Sequence, residues 1–131
     1  MFDLRSASVL VTGGTKGIGR GIAGVFARAG ADVAIAARSD VGDAVADLDA
    51  LGSGRVIGVR ADVRDPASCA AMAKDVVDSF GGIDVVCANA GIFPEAPLDA
   101  MTPEQLAEVL DVNVKGNIFT VQACLPALTA S

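Results

Sequence analysis

Four short apolar runs, each followed by a stretch with helical periodicity, partition this 131-residue chain. The runs are Val9-Leu10-Val11, Val33-Ala34-Ile35-Ala36-Ala37, Val56-Ile57-Gly58-Val59 and Ile83-Asp84-Val85-Val86-Cys87-Ala88. None alternates cleanly, which predicts strands covered on both faces. The stretches between them carry helix start and stop signals. A first helix is predicted from about Gly17 to Ala29, with Ile18, Ile22, Val25 and Phe26 on its apolar face and Gly30 as its stop. A second takes Asp40 as N-cap, buries Val41, Val45, Leu48 and Leu51, and ends at Gly52. A third opens on Asp65-Pro66, buries Cys69, Met72, Ala73, Val76, Val77 and Phe80, and stops at Gly81-Gly82. Thr102-Pro103-Glu104-Gln105 predicts a capping box leading into Leu106, Val109 and Leu110. A last apolar face holds Val114, Ile118, Val121, Leu125 and Leu128, with Pro126 placed to bend or end it. Strand and helix alternating across glycine joints predict βαβ units. The fold class is α/β: a doubly wound parallel sheet with helices on both faces.

Composition narrows the function. The formal net charge is −6, which disfavours nucleic-acid binding, because phosphate neutralisation needs a basic surface. The chain has no His, the commonest metal ligand and general base, and no Cys pair has metal spacing, so no metal site is expected. Cys69, Cys87 and Cys124 are read as buried thiols of a reducing compartment. The first residues include Asp3 and Arg5, and no apolar stretch is long enough to span a bilayer. The expectation is a soluble cytoplasmic protein without a membrane partner.

The joint between the first strand and the first helix reads Thr12-Gly13-Gly14-Thr15-Lys16-Gly17-Ile18-Gly19. Glycine lets a backbone turn sharply and lets a pyrophosphate approach with no Cβ in the way. Free N–H groups at the helix start and the helix dipole then favour the anion. The alternative is an ordinary glycine-rich joint. The general G-x-G-x-x-G fingerprint is absent, since position 22 is Ile.

The spacing Thr-Gly-x-x-x-Gly-Ile-Gly resembles the cofactor motif of classical short-chain dehydrogenases/reductases. Asp62-Val63 after the third run, Asn89-Ala90-Gly91 after the fourth and Asn113-Val114-x-Gly116 in the next helical region match the same family in order. The resemblance covers the whole chain and is closest in style to β-ketoacyl-carrier-protein reductases. It implies a Rossmann dinucleotide-binding domain over residues 1–131, comprising the first four strands and stopping before a fifth. In the family, the residue matching Asp62 binds the adenine amino group, with Val63 beside it. The Asn89-Ala90-Gly91 segment lies beside the ribose and braces the sheet. The residue matching Asn113 has a supporting catalytic role, its backbone holding a water in a proton relay. The implied cofactor-binding set is Thr12, Gly13, Thr15, Lys16, Gly17, Ile18, Gly19, Arg38, Ser39, Asp62, Val63, Asn89, Ala90 and Gly91.

Cofactor choice in such sites is made near the end of the second strand. An acid there binds the ribose 2′-hydroxyl, and an Arg nearby accepts a 2′-phosphate. Here the strand ends Ala36-Ala37-Arg38-Ser39, with Lys16 in the glycine turn within reach. Two cations without a carboxylate predict NADP(H) over NAD(H). Asp40 is close but is accounted for by helix capping.

The family moves hydride between the nicotinamide and a carbonyl or alcohol carbon, a 3-oxoacyl thioester or similar, using a Tyr, a Lys and a Ser that follow the fifth strand. This chain holds no Tyr, so the resemblance implies that it supplies the cofactor-binding half and is inactive alone. Relatives in the family form tetramers, which implies a homo-oligomer. The alternative is a dinucleotide-binding or scaffolding module without catalysis. With no fifth strand, the fourth run would be an apolar edge, and the chain is expected to associate.

Overall fold

In the computed structural model, which describes residues 2–131, the order of elements is that of repeated βαβ units. They are β1 (Ser8–Thr12), α1 (Gly17–Arg28), β2 (Asp32–Ala37), α2 (Gly42–Asp49), β3 (Val56–Arg60), α3 (Pro66–Phe80), β4 (Val85–Cys87), α4 (Pro103–Leu110) and α5 (Gly116–Ala130). A short 3-10 turn at Leu98–Ala100 precedes α4, and a π-helical turn, Asp111–Lys115, joins α4 to α5.

The strands form one parallel sheet in the order β3-β2-β1-β4. From β1 the chain steps outward to β2 and β3, then crosses to the other side of β1 for β4. The order therefore reverses between β1 and β4. Alternate residues of the strands feed two cores. Val9, Val11, Val33 and Ile35 pack with Ala23 and Ala27 of α1 and Ala44 and Leu48 of α2. Leu10, Ala34, Ala36 and Val59 face the other way, towards Cys69, Met72 and Val76 of α3 and Cys124 of α5. The sheet is thus covered on both faces, as its apolar runs require.

Several local expectations are corrected. The face that α1 buries is Gly19, Ala23, Gly24 and Ala27, while Ile18 and Val25 are 79% and 64% exposed. Small residues let the helix lie close to the sheet; branched side chains on that face would hold it off. The same holds in α5, which buries Gly116, Thr120 and Cys124 and leaves Ile118, Val121 and Leu125 exposed, as is Val114 in the π turn before it. With Leu106 and Leu110, also exposed, these form an apolar row along α4, the π turn and α5. The helix continues past Pro126 to Ala130. Asp40 is not the N-cap of α2; Val41 is, and Asp40 instead accepts the Gly42 N–H at 2.9 Å from one position earlier. Leu51 lies beyond the end of α2 and is exposed. β4 is shorter than its apolar run: Asp84 turns to exchange bonds with Ser8, and Asn89 and Ala90 turn to Thr12. Cys69 and Cys124 are buried, and burial pushes the Cys124 thiol up to about 11, whereas Cys87 is only half-buried.

The capping signals read from the sequence are in place. Asp65 accepts from the Ala67 N–H ahead of Pro66, and Gly81 closes α3 in the left-handed region. Thr102 and Gln105 exchange both bonds of the capping box at 2.9 and 3.2 Å. No helix among the described residues is long and apolar enough to cross a membrane.

Among the described residues β4 pairs only with β1, and its Val85, Val86 and Cys87 are half-buried. An apolar parallel edge of this kind templates association. Sedimentation velocity on the 131-residue chain is expected to show dimers or larger species; a stable folded monomer would contradict this.

Candidate functional site

The carboxyl ends of β1, β2, β3 and β4 open into one cleft of about 500 Å³. It lies where the strand order reverses, the place at which open α/β sheets bind ligands, because loops leaving adjacent strands diverge there. The glycine turn lines it with Gly13, Thr15, Lys16, Ile18 and Gly19. Arg38 and Ser39 line it from the end of β2, and Asp62 and Val63 from beyond β3. Asn89, Ala90 and Gly91 come from the segment after β4. Thr12, Gly17 and Asn113 are not on its wall.

Thr12 acts from beneath. It is 1% exposed at the end of β1. Its Oγ1 accepts from the Asn89 and Ala90 N–H groups at 3.0 and 3.1 Å and donates to the Cys87 carbonyl at 3.5 Å. Asn89 returns the tie: its Nδ2 donates to the Thr12 and Gly13 carbonyls at 3.1 and 3.4 Å. The glycine turn is therefore bound to the segment after β4. This leaves no room at Gly19, where a Cβ would stand 2.1 Å from the Gly13 oxygen. Gly17 instead needs glycine for its backbone, at φ +58, and faces the groove between α1 and α2. No side chain caps the start of α1, and no acid lies in its first turn. Its leading N–H groups and the positive end of its dipole are thus left for an anion.

Asn113 sits in the π turn. Its amide brackets Ile92, donating to the Ile92 carbonyl and accepting the Ile92 N–H, both at 2.8 Å. This ties the far wall of the cleft, which Ile92 and Val112 line, to the π turn that leads into α5. The Asn113 carbonyl in turn accepts from Asn117 Nδ2 at 2.8 Å.

Sequence reasoning missed the partner of Asp62. Arg64 grips that carboxylate as a fork, Nε to Oδ1 at 3.0 Å and Nη2 to Oδ2 at 2.7 Å, while its own N–H donates to Oδ1. An Asp-x-Arg turn was the available signal, since an Asx turn brings residue i+2 back over the carboxylate. The Arg64 hydrogen bonds hold the Asp62 carboxyl below the usual aspartate range against the opposing effect of burial, and Arg38 adds to the lowering through space. Asp62 therefore faces the cleft as a fixed, ionised acceptor.

Comparison with known proteins shows the family and the fold. The family model described as short chain dehydrogenase matches residues 7–131. Galactitol 2-dehydrogenase of Agrobacterium fabrum is 40% identical over 120 residues, 92% of this chain and 46% of the relative. A short chain dehydrogenase from Burkholderia cenocepacia J2315, solved in complex with NADP, superposes with a TM-score of 0.89 at 38% identity, covering 96% of this chain and 52% of that one. A 3-oxoacyl-[acyl-carrier protein] reductase from Brucella melitensis, solved in complex with NAD, gives 0.87 at 36% identity, covering 95% of this chain and 49% of that one. The chain spans about half the length of the curated relatives it matches.

The Asp62 carboxyl contributes stability above its unfolded value and loses it as pH falls through its lowered folded value. Arg64→Met is expected to return the Asp62 titration, followed by carboxyl carbon NMR, towards the ordinary value of 3.8. An Asp62 midpoint that does not move would contradict the role given to the fork.

Proposed function

Because this chain belongs to the short-chain dehydrogenase family, we propose that it supplies the nucleotide-binding half of an oxidoreductase acting on a secondary alcohol or ketone carbon, with NADP(H) as the preferred cofactor. One observation carries the reading. At the reversal of strand order, a glycine turn and an uncapped helix start meet a cleft wall with no acid at the end of β2.

The residues present fit the group. The close approach at Gly19 and the free N–H groups of α1 would take the pyrophosphate. Asp62 and Val63 would hold the adenine, and Asn89-Ala90-Gly91 would lie along the ribose. Lys16, Arg38 and Ser39 would take the 2′-phosphate. Ala37 offers no carboxylate to repel it, and Asp40 is turned to the Gly42 N–H. A bound nicotinamide supplies hydride transfer. This chain's own part is to bind and orient the dinucleotide and, through Asn113, to fix Ile92 on the substrate side of the cleft. No Tyr is present among the 131 residues to serve as the proton donor that the family uses.

The names galactitol 2-dehydrogenase and 3-oxoacyl-[acyl-carrier protein] reductase share one chemistry, the interconversion of a secondary carbinol and a ketone. That class is what we carry over, with polyols and 3-oxoacyl thioesters as its two candidates. The exposed apolar row on α4 and α5 supports a homo-oligomer, a tetramer by resemblance to the family, built through that face.

Titration of the protein with NADPH and NADH, followed by nicotinamide fluorescence, is expected to show tighter binding of NADPH by about tenfold or more, as for one added charge-assisted contact. Arg38→Asp should reverse the order. Tighter NADH binding by the wild type, or unchanged NADPH affinity in Arg38→Asp, would overturn the cofactor assignment.

A further inference from the structure

The end of β2 is held by a residue outside the cleft wall. β3 pairs with β2 up to Arg60, which registers against Ala37, and the Ala61 N–H donates to the Ala37 carbonyl at 3.0 Å. β3 then turns away, with the Asp62 N–H taken by Ser68 Oγ at 2.9 Å. The Arg38 carbonyl, one residue past β2, is gripped by a side chain: Arg60 donates to it from Nη2 at 3.1 Å and from Nε at 3.4 Å.

A guanidinium has five N–H donors in a planar fork, so these two bonds leave others free. Arg60 therefore fixes the backbone from which Arg38 and Ser39 project into the cleft. It also brings a further cation to the end of β2, where Arg38, like Lys16 in the glycine turn, is in no ion pair among the described residues. The acids near this end are occupied: Asp40 by the Gly42 N–H and Asp62 by Arg64. The guanidinium is in no ion pair among the described residues. Structural economy alone would have served with a neutral donor on that carbonyl. A cation here suits a dianionic neighbour.

We infer that Arg60 is a positioning residue for the ribose 2′-phosphate, clamping the Arg38 carbonyl so that Arg38 and Ser39 present their side chains to it. The inference rests on the NADP(H) reading above and adds to it a residue that determines cofactor specificity without lining the cleft. A merely structural Arg60 would support both dinucleotides equally. A positioning Arg60 acts on the phosphorylated one.

The test is calorimetric titration of wild type, Arg60→Met and Arg60→Lys with NADP+ and NAD+. Arg60→Met should weaken NADP+ by about tenfold, the size of one charge-assisted contact, and leave NAD+ within about twofold. Arg60→Lys keeps the charge but not the planar fork, and should recover only part of the loss. Equal losses for both nucleotides, no loss for either, or full recovery by Lys would overturn the inference. Wild-type protein that prefers NAD+ would overturn the cofactor reading itself, and the inference with it. A wild-type preference for NADP+ with an unmoved ratio in Arg60→Met overturns the inference alone.

Discussion

One buried hydroxyl holds the site together. A threonine hydroxyl can donate once and accept twice. Thr12 uses all three, on Cys87, Asn89 and Ala90. Those bonds join the end of β1 to the end of β4 at the point where the strand order reverses. The glycine turn leaves from the same residue, so its position follows. Each N–H left unpaired there would cost about 1–3 kcal/mol. Asn89 closes the loop by donating back to the Thr12 and Gly13 carbonyls. The two walls of the cleft are thus one hydrogen-bonded unit.

Small residues set the remaining distances. At Gly116 a Cβ would stand 2.6 Å from a Val63 methyl, so α5 can seat only with glycine there. Ala23 and Ala27 do the same for α1 against β1 and β2. Close packing fixes where each strand ends relative to its neighbours, and the side chains that line the cleft sit just past those ends. Arg38, Asp62 and Asn89 are far apart in sequence yet share one cleft, because parallel strands deliver them to one edge of the sheet.

The fold was legible because its signals are local. Apolar runs without alternation mark covered strands, and Asp65-Pro66 or Thr102-Pro103-Glu104-Gln105 mark helix starts through contacts only a few residues apart. Most of the cleft wall was legible for a different reason: four motifs in family order name its residues. Burial was less legible. Periodicity ranks Ile18 and Val25 above Gly19 and Ala23, yet the helix turns its small residues inward, since closeness to the sheet outweighs side-chain size. Arg60 and Arg64 were missed because their partners, the Arg38 carbonyl and the Asp62 carboxylate, are set by how β3 ends. Thr12 was read as part of a phosphate-binding motif, whereas its side chain bonds to the β4 segment and never reaches the wall.

The Thr12 hydroxyl ties β1 to the segment after β4 and so builds the cleft proposed to take the nucleotide. Calorimetric NADP+ affinity of Thr12→Ser against Thr12→Val tests it most directly, since Val matches Thr in shape and lacks only the hydroxyl. Ser is predicted to bind within about threefold of the wild type, and folded Val at least about tenfold more weakly, as expected when two part-buried N–H groups lose their acceptor. A folded Thr12→Val protein that binds NADP+ as tightly as the wild type would contradict the account.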